Sequence, residues 1–355
     1  MKKKTTLILC VCLVVCLGLL WLLQALLMPK YMGKVKEGAL IGEYYQNAGN
    51  NDVVFVGDCE VYENFSPITL WEKYGITSYI RGSAQQMIWQ SYYLMEETFR
   101  YETPKVMVFN VLSMKYDTPH STKDADQREA YNRMTLDGMR WSSSKWNAIQ
   151  ASMTKEEQEK EAEFSYMLPL LRYHDRWSQL TSEDFKYWFK RDQVSDNGYL
   201  MQVGVKPATD RIVPPLMNDR LGDNSWYYLD KMTQLCKSKG TQLVLIKAPV
   251  DYPKWYDAWD EQVAQYAEKN GLMYIDMRDY DQEMGIDWTT DTYDEGQHLN
   301  VYGAEKASAW FGKVLQEQCN VPDRRNDTEI AALWAEKSET YHARKKALEA
   351  EANKE

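Results

Sequence analysis

Three kinds of side chain in this sequence have the reactivity and the spacing for nucleophilic catalysis. Cys59 stands in Gly57-Asp58-Cys59, directly after the apolar run Val53-Val54-Phe55-Val56 and ahead of a helix-like segment. A strand-to-helix turn presents backbone N–H groups, which stabilise a thiolate or a developing oxyanion. Far downstream, Asp294-Glu295-Gly296-Gln297-His298-Leu299-Asn300 sets two acids and an imidazole in one short turn. Nucleophile, base and orienting acid are the parts of an acyl-transfer site. The bland reading of Cys59 is a small residue packed beneath a sheet, because free cysteine is among the most buried residue types. For His298 it is a surface histidine bonded to a carboxylate; His120, His174 and His342 lack comparable neighbours. As orienting acid, Glu295 has the three-residue spacing to His298. Asp294 has the shorter, stiffer side chain, with Gly296 free to close the turn. Asp294 is preferred and Glu295 kept.

These residues need a scaffold, and the apolar pattern supplies one. Strand-like runs recur at 53–56, 78–80, 106–111, 243–246 and 273–275, separated by segments of helical period at 84–100, 226–238, 258–270 and 304–318. That alternation predicts a parallel sheet covered by helices, an α/β domain. Between about 116 and 224 the pattern gives way to a charged run, many aromatics and scattered Pro and Gly, which reads as a helical insertion. From Val321 the tail is highly charged, with Ile330, Leu333, Trp334 and Tyr341 forming a thin apolar stripe at helical spacing.

From Thr5 to Met28 no residue is charged, a stretch long enough to cross the ~30 Å hydrocarbon core as a helix. Lys2-Lys3-Lys4 ahead of it favours a cytoplasmic N-terminus, and no small-x-small cleavage site follows, so an uncleaved anchor is expected. The division is therefore a tip at 1–4, an anchor at 5–28, a linker at 29–50, a domain at 51–320 and a tail at 321–355. With 44% hydrophobic residues the bulk is globular, and a formal charge of −10 leaves no basic field for nucleic acid. No Cys/His pattern proposes zinc, and no cofactor motif is present. Cys10, Cys12 and Cys16 read as apolar filler of the anchor, leaving Cys59, Cys236 and Cys319 outside it. Cys236 and Cys319 are free to pair in an oxidising compartment; three reduced thiols is the equal alternative.

In order and spacing, these motifs resemble those of the SGNH/GDSL hydrolase superfamily over most of 52–319. Gly57-Asp58-Cys59 matches its first block with Cys in place of Ser. Gly82 in Arg81-Gly82-Ser83 matches the second, Asn110 at the end of VMVFN the third, and His298 the last. FVGDCEVYENFSPITLWEKYGITSYIRGSAQQ, PKVMVFNVLSMKY and HLNVYGAEKAS also resemble a group of anchored, extracytoplasmic SGNH-like proteins of Gram-positive bacteria. That group is related in style to the D-alanylation factor of teichoic acid synthesis and to polysaccharide O-acetylation proteins.

The resemblance implies a three-layer, flavodoxin-like sheet. It also implies an oxyanion hole built from the Cys59 N–H, the Gly82 N–H and the Asn110 amide. The activity it implies is an esterase or acyltransferase on acyl groups of cell-envelope glycan, with a multi-span membrane acyltransferase as partner. The sequence departs from the family pattern at the thiol, at the residue before Asn110, which is not Gly, and in the acid spacing to His298. A catalytically inactive scaffold that binds glycan or the acyltransferase is the alternative. The cluster Trp255, Tyr256 and Trp259 offers rings either to stack on a sugar or to pack a helix.

Overall fold

The computed structural model describes residues 2–29, 38–119, 125–160, 162–190, 193–251 and 255–354. Five strands form one sheet: β1 Val53–Gly57, β2 Ser78–Gly82, β3 Val106–Asn110, β4 Gln242–Lys247 and β5 Met273–Asp276. All pair in parallel, in the order β2-β1-β3-β4-β5. That is the flavodoxin-like doubly wound order, whose switch point lies between β1 and β3. The resemblance-based expectation of a flavodoxin-like, helix-covered sheet therefore holds.

Side chains on a strand alternate between faces, and here both faces are dry. Val53 and Phe55 of β1 join Ile80, Val108, Val244 and Ile246 on one side, under Phe65, Phe311 and Leu315. Val54 and Val56 join Met107, Phe109, Leu243 and Leu245 on the other, under Met95, Leu229 and Met232. The inner strands β1, β3 and β4 are consequently near-continuous apolar runs, as a parallel sheet buried on both faces requires, whereas β5 at the edge is half-buried. Pro67–Tyr74 and Val301–Cys319 cover the first face; Ile88–Thr98 and Asp223–Lys239 cover the second.

Local chemistry sets the helix ends. Ser66 accepts a hydrogen bond from the Thr69 N–H at 3.2 Å, Pro67 fills the first turn, and Gly75 closes the helix at φ +66°. The helix expected from Ala84 begins at Ile88, because residues 84–87 form a turn in which Gln85 has φ +49° and the Met87 N–H bonds the Gln90 amide oxygen.

The span read as linker, 29–50, is corrected over its second half: Ala39–Asn47 is a helix with Leu40, Ile41 and Tyr44 buried, while residues 30–37 lie outside the described ones. This helix is bolted to the domain. Arg81 sits 4.0 Å beneath the Tyr44 ring and pairs with Glu97 at 2.7 Å, and Tyr45 donates to the same Glu97.

The tail forms the helix Thr328–Ala352. Trp334 stacks on Trp71 at 5.3 Å and Tyr341 is buried, whereas Leu333 of the expected stripe faces outward. All six cysteines are free. Cys236 and Cys319 belong to the cores on opposite faces of the sheet, so no bridge joins them. The insertion opens with Ala125–Leu136 and Ser143–Ser152, and is held by Trp89 Nε1 and Gln90 Nε2, both donating to Ser152 Oγ.

Candidate active site

The carboxyl ends of β1 and β3 meet at the switch point, and Cys59 follows directly from β1. It opens the helix Cys59–Asn64, whose N-cap is Asp58: one carboxylate oxygen accepts the Glu60 N–H at 3.2 Å. Two glycines let this helix rest on the strand ends. A Cβ on Gly57 would lie 3.0 Å from the Asn110 Cβ, and one on Gly82 would lie 3.1 Å from Val61 Cγ2 and 3.2 Å from the Gly57 carbonyl.

Beneath the turn lies a buried polar network. Asn110 donates its side-chain amide to Asp58 at 3.1 Å and to Glu60 at 2.9 Å, and its carbonyl oxygen accepts the Ala248 N–H at 3.0 Å. Lys247 Nζ meets Glu60 at 2.8 Å with both side chains buried, and also donates to the Ala248 carbonyl. The side chain expected in the oxyanion hole thus has carboxylate partners of its own. Both donors of its amide are engaged by carboxylates, and its work is to hold the turn. Burial, with the neighbouring Glu60 charge, pushes the Asp58 carboxyl up to about 6.

Cys59 and His298 lie near enough for each to shift the other's protonation. The His298 ring is fixed from behind: Nδ1 bonds an Asp294 carboxylate oxygen at 2.6 Å, and the other oxygen accepts the His298 N–H at 2.8 Å. With Nδ1 engaged, Nε2 is the nitrogen left to exchange a proton with Sγ.

Glu295 does not share this role. Held at φ +66°, it turns away to form ion pairs with Lys206 at 2.7 Å and with Arg211. The four-residue spacing succeeds where three fails because the turn is tightened by Gly296 at φ +89°, its N–H bonded to Thr292 Oγ1 at 2.9 Å.

A second carboxylate, Glu63, escaped the sequence reading. It lies 3.3 Å from His298 Nδ1 and accepts the Tyr293 hydroxyl at 2.7 Å, while the Tyr293 ring stacks over His298 at 6.2 Å. The signal was present: Cys59 and Glu63 stand four apart on one helix and so share a face. Asn64, at the end of that helix, donates to the Pro249 carbonyl at 2.9 Å and accepts the Leu299 N–H at 2.9 Å, which ties β4 and the His298 loop to the nucleophile helix.

The electrostatics follow from this crowding. Burial pushes the Cys59 thiol up, opposed by His298. Burial pulls His298 down but is overcome by the negative charge of Cys59 and the bond from Asp294, so the imidazole ends well above its usual range. Burial lifts Glu63, and Asp294, although burial opposes it, is held low by His298.

The remaining candidates separate from the site. Trp255 is buried, and Tyr256 and Trp259 bond the backbone of 214–218, so these rings clamp a loop. His174 bonds the Leu171 carbonyl, His342 bonds Glu72, and His120 lies outside the described residues. Among the described residues, no group of three His, Cys, Asp or Glu is arranged to hold a metal ion.

No protein-family description and no curated protein matches this sequence. Among solved structures, the chain is similar to one from Bacteroides fragilis NCTC 9343 described as a "putative acylhydrolase", at 12% identity and a TM-score of 0.36, over 79% of this chain and 93% of that one. A likeness this slight carries no argument about activity.

Proposed function

We propose that the chain is an SGNH-type acyl esterase or acyltransferase that acts on acyl groups of cell-envelope glycan. In this reading it is held by a single span with the N-terminus cytoplasmic and the α/β domain outside. The observation that carries the reading is the Asp294 carboxylate fixing His298 Nδ1 at 2.6 Å, with Cys59 within electrostatic reach of that imidazole, at the switch point of a doubly wound sheet.

In the proposed reaction Cys59 Sγ attacks the acyl carbonyl carbon as its proton passes to His298 Nε2. The tetrahedral oxyanion is held by the Cys59 and Gly82 N–H groups. Collapse breaks the ester C–O bond, and His298 returns the proton to the departing alcohol, leaving a thioester on Cys59. A water or a glycan hydroxyl then gives its proton to His298 and attacks the thioester, which frees the thiol and the acyl product. Asp294 fixes the imidazole tautomer and balances the imidazolium.

The test is intact-mass analysis of the protein mixed with p-nitrophenyl acetate. A transient acetyl adduct on Cys59 that is absent from Cys59→Ala is the expected result. Nitrophenol release by Cys59→Ala at the parent rate would overturn the reading.

A non-catalytic scaffold for glycan or a membrane acyltransferase is favoured by one observation, the engagement of the Asn110 amide by Asp58 and Glu60. Alkylation of Cys59 across pH separates the two. A thiol whose apparent pKa is unmoved by His298→Ala belongs to a scaffold.

A further inference from the structure

The helix Lys2–Leu27 contains one stretch, Lys3–Leu27, long and apolar enough to cross a membrane. Leu7 through Leu23 are largely exposed along it, but Leu26 and Leu27 are buried against the domain. The end of the helix is clamped by Arg176, which donates to the Leu27 carbonyl at 2.8 Å and to the Met28 carbonyl at 3.0 Å. Arg176 is itself held by Asp184 at 2.9 Å, whose other oxygen accepts the Thr181 N–H at 2.9 Å.

Two short helices, His174–Gln179 and Ser182–Lys186, are thereby fixed to the last turn of the span. Beside these clamping residues stand large apolar side chains that the domain does not cover. Trp177, next to Arg176, is 71% exposed; Phe189 is 90% exposed, and Leu171, Phe185 and Trp188 are also exposed. Trp188 shares with Gln24 and Ala25 of the span the lining of a cavity of about 660 Å³. Trp188, which also packs edge-on against Phe185, thus adjoins the span.

We propose that this face of the helical insertion, carrying Leu171, Trp177, Phe185, Trp188 and Phe189, lies in the headgroup region of the bilayer that the N-terminal helix crosses. Amphipathic and aromatic rings concentrate at that depth, where an apolar body meets lipid and a polar edge meets water. Lys186 and Lys190, exposed beside them, have stems long enough to reach the phosphates from the same depth. Left in water, a contiguous apolar patch of this kind is an aggregation liability; laid on the membrane it becomes a second attachment. The inference rests on the N-terminal helix being a span.

The test uses the full chain in nanodiscs made with lipid brominated high on its acyl chains. The emission of single tryptophans is obtained by difference from Trp21→Phe and Trp177→Phe, both exposed positions. The expected result is that bromolipid removes most of the emission of both residues and that aqueous iodide quenches neither. Trp21 quenched by bromolipid with Trp177 quenched by iodide overturns the inference alone and leaves the span intact. Trp177 shielded from both quenchers points to a second copy covering the patch, and also overturns it. Neither residue quenched by bromolipid overturns the span itself, and the inference with it.

Discussion

Cys59 and Glu63 stand one helical turn apart on the same face of one short helix, and both reach the imidazole of His298. The nucleophile candidate and a buried carboxylate are therefore delivered to the imidazole by one helix. Asp294 comes from a separate loop and completes the ring of partners at 2.6 Å. His298 has two acids behind it rather than one.

Asp294 and Glu295 adjoin in sequence and differ in their partners. Asp294→Asn is expected to lower acyl release roughly 10²–10⁴-fold, the range that a general base and its orientation supply. Glu295→Gln, which loses only surface ion pairs with Lys206 and Arg211, is expected to stay within about twofold of the parent, the scale of an exposed substitution. Parallel rates of nitrophenol release check both; equal losses would sink the assignment.

Glu63→Gln removes a negative charge that raises the His298 pKa. The imidazole of the variant is expected to titrate at lower pH than that of the parent, with the acid limb of any activity profile moving the same way. Nitrogen NMR of the labelled ring measures this. An unmoved titration would show that Glu63 serves only Tyr293.

Asp58 carries a pH signature of opposite kind. Its carboxyl is raised to about 6 in the fold from an ordinary value near 4, so folding costs nothing at this residue below that lower value and costs progressively more as the pH climbs toward 6. The cost levels off at roughly 3 kcal/mol, from 1.36 kcal/mol per pKa unit. Asp58→Asn keeps the helix cap, because Asn caps about as well as Asp, and loses the titration. Stability of the variant relative to the parent should rise between pH 4 and 6. Chemical denaturation at the two ends of that window is the measurement, and a flat difference would contradict it.

Trp334 makes the tail part of the core. Its ring stacks on Trp71 and is 1% exposed, so Trp334→Ala is expected to cost about 3–5 kcal/mol. Leu333→Ala, one position earlier and facing out, should cost less than about 1 kcal/mol. Thermal melts of the two variants side by side would expose a merely appended tail as two small and similar shifts.

Much of the architecture was legible because its signals are local. The apolar runs of β1, β3 and β4 read as strands buried on both faces, and each of the five strands lies within two residues of its expected ends. Cys59, His298 and Asp294 were legible for a similar reason, since a strand-ending turn and a glycine-tightened loop declare themselves in a few residues.

What remained hidden depends on contacts across the fold. Asn110 reads as an oxyanion donor until Asp58 and Glu60 are brought beneath it. Glu63 reads as one more charge on a helix until His298, distant in sequence, arrives beside it. Ala39–Asn47 lacks a side-chain cap, so only the burial of Leu40, Ile41 and Tyr44 distinguishes it from linker. Cys236 and Cys319 were free to pair on paper because the sequence does not say which side of the sheet each occupies.

Asn64 joins Pro249 to Leu299 through one buried amide, closing a gap of 235 residues to the loop that carries His298. The helix that carries the thiol and the loop that carries the imidazole are therefore fastened to each other through one side chain. Under the proposed acyl chemistry, discrimination among acyl groups is expected from the walls of the entrance, where loop changes can alter what is accepted without moving the Cys59, Asn64 and His298 frame.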